Sequence, residues 1–128
     1  MEFEVSTTGR EPIYRQLAGQ IREAIARGRL APGARLPSVR ELSKTLVVNP
    51  NTVARAYTDL EHEGVLNTRP GLGVFVAAPG SDLTRPVRKK RLVDRIDSLL
   101  TEAVHLDFSH SETLALIQDR MSQFQWKS

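Results

Sequence analysis

The chain has 128 residues, no cysteine and a formal net charge of +3, from 18 basic and 15 acidic side chains. That length fits one domain, or one with a small appendage, and its core is modest enough that pairing with a second copy would add stability. The composition excludes thiol catalysis, disulfides and Cys-held zinc, no stretch is apolar enough to span a bilayer, and the opening MEFEVSTTGREP lacks the pattern of a secretion signal.

A charge excess this mild does not by itself announce a nucleic-acid binder, so the placement of charge must carry that argument. Phe3-Glu4-Val5 alternates in the manner of a short edge strand, and Thr7 to Glu11 reads as a linker. Pro12 opens a helix that the spacing carries to about Arg27. Ile13, Leu17, Ile21 and Ile25 form a one-face stripe, broadened by Tyr14 and Ala24, and Gly28 closes the helix. This helix reads as scaffold, with Tyr14 in the core. Arg10, Arg15, Arg22, Arg27 and Arg29 fall mostly on the solvated side, where one or two could reach phosphate. Leu30-Ala31-Pro32-Gly33-Ala34 is a turn.

The stretch from Leu36 to Val76 organises the chain. Ser38-Val39-Arg40-Glu41 has the form of a capping box. Val39, Leu42 and Leu46 share one face of the helix that follows. Val47-Val48-Asn49-Pro50 is a turn in which Asn49 can cap the next helix and Pro50 takes its first position. That helix reads to about Glu63, with Gly64 as a left-handed stop. Val53, Ala56, Tyr57 and Leu60 gather on one side. Asn51, Thr52, Arg55, Thr58 and Asp59 lie opposite. A helix that enters a major groove by its N-terminus would offer Asn49, Asn51, Thr52 and Arg55 to DNA and keep Asp59, Glu61 and Glu63 away from it. Two β-prone runs follow, Val65 to Thr68 and Val74 to Ala77, bridged by Arg69-Pro70-Gly71-Leu72-Gly73. Two helices joined by a tight turn and followed by a hairpin make a winged helix-turn-helix, with Arg69 and Gly71 at the wing tip.

The run from Pro12 to Val76 resembles the N-terminal domain of the GntR family of bacterial transcription regulators. The matching pieces are Pro12-Ile13-Tyr14, Gln16-Leu17, Ile21, Ala24-Ile25 and Gly28, then Leu30 with Gly33 and Leu36 through Leu42. They continue with Asn51-Thr52-Val53, Ala56-Tyr57, Leu60, Glu63-Gly64 and Gly71 through Val76. Ala56-Tyr57 and the short length resemble the YtrA-type branch, which implies a reader domain followed by a small helical tail that pairs two copies. The chain departs from the family at Pro50, where members often carry a basic or hydroxyl residue. The resemblance also implies control of genes for a membrane transporter.

Ala77 to Asp82 shifts to small, turn-forming residues and marks a boundary. The expected domains are residues 1–78, the reader, and residues 79–128, the tail. Arg88-Lys89-Lys90-Arg91 reads as the solvated start of a helix, although cations oppose the dipole there and phosphate would suit them. The helix runs from about Pro86 to Val104, with Leu92, Ile96, Leu99, Ala103 and Leu106 recurring at four and three and Val93, Leu100 and Val104 alongside. Ser109 to Glu112 is a second capping box. A last helix extends to about Gln123, with Leu114, Ile117, Met121 and Phe124 inward. Two such helices make only a hairpin, so their stripes must bury against the reader or against a second copy.

No nucleophile turn, phosphate-binding loop or dinucleotide fingerprint is present, and His62, His105 and His110 lack the spacing of a metal site. The expectation is a mainly α protein with a small β-hairpin wing. It is no enzyme and needs no cofactor or metal. Its role is that of a cytoplasmic, homodimeric transcription repressor on a pseudo-palindromic operator, away from membranes, with room for an unknown small-molecule effector. Arg40 and Asn51 are the base readers, since Arg pairs with guanine and Asn with adenine. Asn49, Thr52 and Arg55 assist in the major groove, Ser38 and Lys44 hold phosphate, and Arg69 and Gly71 serve in the wing. Leu92, Ile96, Leu99, Leu100, Ala103, Leu114, Ile117 and Met121 pair the tails. Two rivals use the same pattern: a winged helix that binds protein, and the reader portion of a MocR-like aminotransferase regulator.

Overall fold

The apolar stripe of the first helix decides how the N-terminal unit packs. The computed structural model describes residues 3–78 and 85–126. The elements are α1 (Ile13–Ala26), α2 (Val39–Leu46), α3 (Pro50–His62), β1 (Leu66–Arg69), β2 (Gly73–Val76), α4 (Arg85–His105) and α5 (His110–Met121). They divide into two compact units, Met1–Ser81 and Asp82–Ser128.

In the first unit α1 lies along α3, α2 packs on α3, and β1 leans on α3. Leu17 and Ile21 of α1 meet Val53, Ala56 and Leu60 of α3 in one fully buried cluster, sealed by Leu42, Leu36, Leu66 and Val76. All but Leu36, which lies in the segment before α2, are residues the helical or strand period places inward. Burying such side chains is worth about 1.5–3 kcal/mol apiece. The Tyr57 hydroxyl donates to the Pro37 carbonyl at 2.7 Å and so fastens α3 to the loop before α2. Burial, helped by the nearby Glu41 charge, pushes that phenol well above its ordinary range.

Helix ends follow one chemistry. After α1 the Arg29 amide returns to the Ala24 carbonyl, and after α3 the Val65 amide returns to Leu60, each across a left-handed glycine, Gly28 and Gly64. After α2 the same pair of bonds forms, Val48 to Ser43 and Val47 to Lys44, but the left-handed residue is Val47, at φ 56° and ψ 52°. This is the Schellman arrangement.

Two expectations are corrected. Phe3 to Val5 is not a strand. Phe3 inserts into the core, and the backbone beside it bonds to side-chain amides of α1: Glu4 to Gln20, and Ser6 to Gln16 in both directions at 2.8 and 2.9 Å. A glutamine amide offers the donor and acceptor pair of a peptide, so it replaces a neighbouring strand. The wing strands also sit closer to their turn than the β-prone runs suggest. Arg69 pairs with Gly73, which leaves a three-residue turn, Pro70 to Leu72.

In the second unit, α4 and α5 join through a left-handed Asp107, and Ser109 and Glu112 close the second capping box. Neither helix holds a buried residue. An open apolar cleft of about 350 Å³ runs along the hairpin, lined by Leu99, Leu116, Ile117, Met121 and Trp126 among others. Trp126 is held there by its indole N–H, which donates to the Met121 carbonyl at 2.8 Å.

Candidate nucleic-acid interface

The start of α2 is built by Ser38. Its hydroxyl accepts from the Glu41 amide at 3.0 Å, and the Glu41 carboxylate accepts from the Ser38 amide at 3.3 Å. The Ser38 hydroxyl and amide hold the Glu41 carboxyl below the usual range, with the Arg35 charge a further cause. One step along, Arg40 and Lys44 stand four residues apart on the exposed face of α2. The start of α3 is built by Asn49, whose side-chain oxygen accepts from the Asn51 amide at 2.8 Å, with Pro50 in the first turn. Asn49 and Asn51 are exposed and Thr52 half-buried. No acid occupies the first turn of α3. Its positive dipole end therefore stays available to an anion.

Arg55 behaves differently from its neighbours. Its guanidinium carbon lies 3.8 Å from the centre of the Tyr14 ring, and Arg15 approaches the same ring at 6.0 Å. Tyr14 is thus half-buried scaffold and also the platform for a cation. In the wing, Arg69 lies 4.6 Å over the Phe75 ring, and Gly71 takes φ +75°, which the turn requires. None of the nine residues expected to face DNA forms an ion pair among the described residues.

Glu61 and Glu63, at the far end of α3, are occupied. Glu63 receives Arg22 through two bonds, 2.9 and 3.0 Å, which ties α3 to α1. Glu61 accepts from the Thr68 hydroxyl and ties α3 to β1. They brace the reader against the dipole preference, a role that periodicity could not reveal. Of the arginines read as mostly solvated, Arg22 and Arg27 are thus engaged, Arg27 by Glu23 at 2.7 Å. Arg35 went unnoticed in the sequence, and an isolated strand pairing brings it against Phe75.

In the tail, Leu92, Ile96, Leu99, Leu100, Leu114 and Met121 are all exposed, while Ala103 and Ile117 are half-covered. Of the exposed large apolar side chains in the described residues, only Val47 and Leu72 belong to the first unit. The basic run Arg88 to Arg91 is exposed, with Lys90 paired to Asp94 at 3.1 Å. No helix among the described residues is long and apolar enough to cross a membrane, and no group of three His, Cys, Asp or Glu could hold a metal there.

Capped helices joined by a tight turn, a scaffold helix behind them and a glycine-tipped hairpin beside them define a winged helix-turn-helix protein. Residues 13–76 match the family described as bacterial regulatory proteins of the gntR family, and the chain belongs to that family as a DNA-binding transcriptional regulator. It is 32% identical over 101 residues to the HTH-type transcriptional repressor YtrA of Bacillus subtilis (strain 168), covering 79% of this chain and 78% of that one. A Listeria monocytogenes EGD-e structure, titled a transcriptional antiterminator, superposes over 100% of this chain and 96% of its own with a TM-score of 0.82 at 28% identity. The DNA-binding domain of AraR in complex with operator ORX1 superposes over 60% of this chain and 99% of its own, with a TM-score of 0.55 at 30% identity.

Proposed function

We propose that the chain is a cytoplasmic, homodimeric repressor that binds a pseudo-palindromic operator, with residues 1–78 as reader and residues 79–128 as pairing tail. One observation carries the reading. Arg40 in the first turn of α2, Lys44 in its last turn, Asn51 at the start of α3 and Arg69 at the wing have no acid partner among the described residues, while Glu61 and Glu63 are tied down at the far end of α3. Arg40 and Asn51 read bases, and Asn49, Thr52 and Arg55 stand beside them in the major groove. Ser38 and Lys44 hold phosphate, and Arg69 and Gly71 place the wing on the backbone. The tail stripe of Leu92, Ile96, Leu99, Leu100, Ala103, Leu114, Ile117 and Met121 buries against its copy. A contiguous apolar face of this kind is otherwise left in water. A two-fold pair would set two α3 helices about one DNA turn, ~34 Å, or a multiple of it, apart. The relative YtrA is named a repressor, which favours that sign of control. The family resemblance favours a membrane transporter among the regulated genes.

The test is selection of sites from random duplex DNA by the full-length protein, with sedimentation of the free protein alongside. A two-fold symmetric consensus and a dimer mass are expected. A lone half-site with a monomer mass overturns the pairing, and no enrichment at low salt overturns the DNA reading.

A further inference from the structure

The wing carries a second guanidinium that no motif announces. The segment before α2 runs beside β2 as a short third strand. The Gly33 amide donates to the Val76 carbonyl at 2.9 Å, the Val76 amide to Ala34 at 2.9 Å, and the Leu36 amide to Val74 at 2.8 Å. Arg35 faces Phe75 in this antiparallel pairing. Across the hairpin Asn67 faces Phe75 and Arg69 faces Gly73. Directly opposed residues project to the same side of a sheet, and alternate residues along a strand share that side. Arg35, Phe75, Gly73, Arg69 and Asn67 therefore occupy one face, while Leu66 and Val76 bury the other in the core.

Arg35 lies flat on this face. A Cβ built on Gly73 would stand 2.8 Å from the Arg35 Nε, and Gly73 holds φ +126°, a backbone that side chains rarely adopt. Gly73 is thus the floor on which the guanidinium rests. Arg69 covers the Phe75 ring from β1. Two exposed guanidiniums flank one aromatic ring, and neither has an ion-pair partner among the described residues. The Arg35 charge acts weakly on the Glu41 carboxylate, which is committed to the Ser38 amide. Arg35 stands three residues before Ser38, the cap of α2, so the wing face adjoins the segment that leads into that helix.

We propose that Arg35 is a DNA-backbone contact of the wing, and that with Arg69 it grips phosphate between the start of α2 and the hairpin. The inference rests on the DNA-binding reading. Two like charges held on one face raise the energy of the free protein and lower that of the complex with an anion. A guanidinium laid on a backbone floor loses little freedom when it meets a phosphate. Such a contact positions the reader and carries no base information.

The test uses the full-length chain and a labelled random-sequence duplex, with affinity read across a salt series. Arg35→Gln is expected to bind about eightfold more weakly at about 0.1 M salt, the worth of one released counterion, and to lower the salt slope by about one unit. Arg35→Lys keeps the charge and should restore the slope. Thermal melts of both variants are taken alongside, since a merely structural Arg35 would move melting and not slope. An unchanged slope in Arg35→Gln overturns the proposal. So does an equal loss of slope in Arg35→Lys, because charge would then not be what matters. If the wild-type chain shows no salt-dependent binding at all, the DNA reading falls first and this contact with it.

Discussion

Val47 invites the sharpest stability experiment in the molecule. Four helix ends share one hydrogen-bonding pattern, and the left-handed position is filled by Gly28, Val47, Gly64 and Asp107. Glycine adopts that backbone freely and aspartate tolerates it. A β-branched residue there is a true outlier. The left-handed region costs an L-residue about 1–2 kcal/mol, and valine belongs at the upper end because both branches crowd the backbone. The side chain recovers nothing by burial, since Val47 is 89% exposed. Val47→Gly removes the strain, and the larger freedom of the unfolded glycine returns about 0.5–1 kcal/mol of it. The net expectation is stabilisation by about 1 kcal/mol, or about 4–8 °C in melting temperature for a unit of this size. Val47→Asn should fall close to glycine, and Val47→Ala between them and wild type. Far-UV circular dichroism is the suitable probe, because the one tryptophan, Trp126, belongs to the second unit. If both Val47→Gly and Val47→Asn melt at or below wild type, the left-handed turn is not strained and the reasoning fails.

Two further expectations follow from named contacts. The Glu41 carboxyl is depressed by the Ser38 hydroxyl and amide, so its charge stabilises the folded state above the ordinary value of 4.5 and ceases to as pH falls through the lowered one. Wild type should therefore exceed Glu41→Gln in urea midpoint at neutral pH and converge with it in acid; a gap that persists in strong acid would assign the difference to shape instead of charge. The Arg55–Tyr14 stack should appear in a double-mutant cycle of Arg55→Gln and Tyr14→Leu as a coupling of about 0.5–1 kcal/mol in unfolding free energy. Strict additivity of the two variants would mean that the guanidinium merely passes over the ring.

What could be read from the chain alone was the local part. Both capping boxes, the Asn49 cap, Pro50 and the glycine stops lie within a few residues of the groups they serve, so spacing suffices to find them. The core stripes were legible for the same reason: Leu17, Ile21, Val53 and Leu60 repeat at the helical period. What escaped depends on partners far away in sequence. Phe3 leaves its alternating run to fill the core, with Gln16 and Gln20 standing in for a strand. Glu63, which opposes its helix dipole, is held by Arg22 of α1. The stacking of Arg55 on Tyr14 joins α3 to α1, and Arg35 enters the wing through a pairing that no motif records. The wing strands shifted toward their turn for a related reason, since β-propensity cannot weigh a neighbour on the other side.

That neighbour changes how the wing must come into being. A hairpin of two four-residue strands is marginal in water by itself. Here its inner strand is bonded on both edges, and the outer partner, Gly33 to Leu36, precedes the whole helix pair in the chain. The small sheet therefore works as a clasp closed around a long loop. Closing such a loop is entropically costly until α2 and α3 have docked and brought its ends together. The wing is consequently a late event in folding, and it opens only when the reader opens. In hydrogen–deuterium exchange the amides of Leu36 and Val76 should protect with α3, in one cooperative unit, while the Gly71 tip exchanges freely.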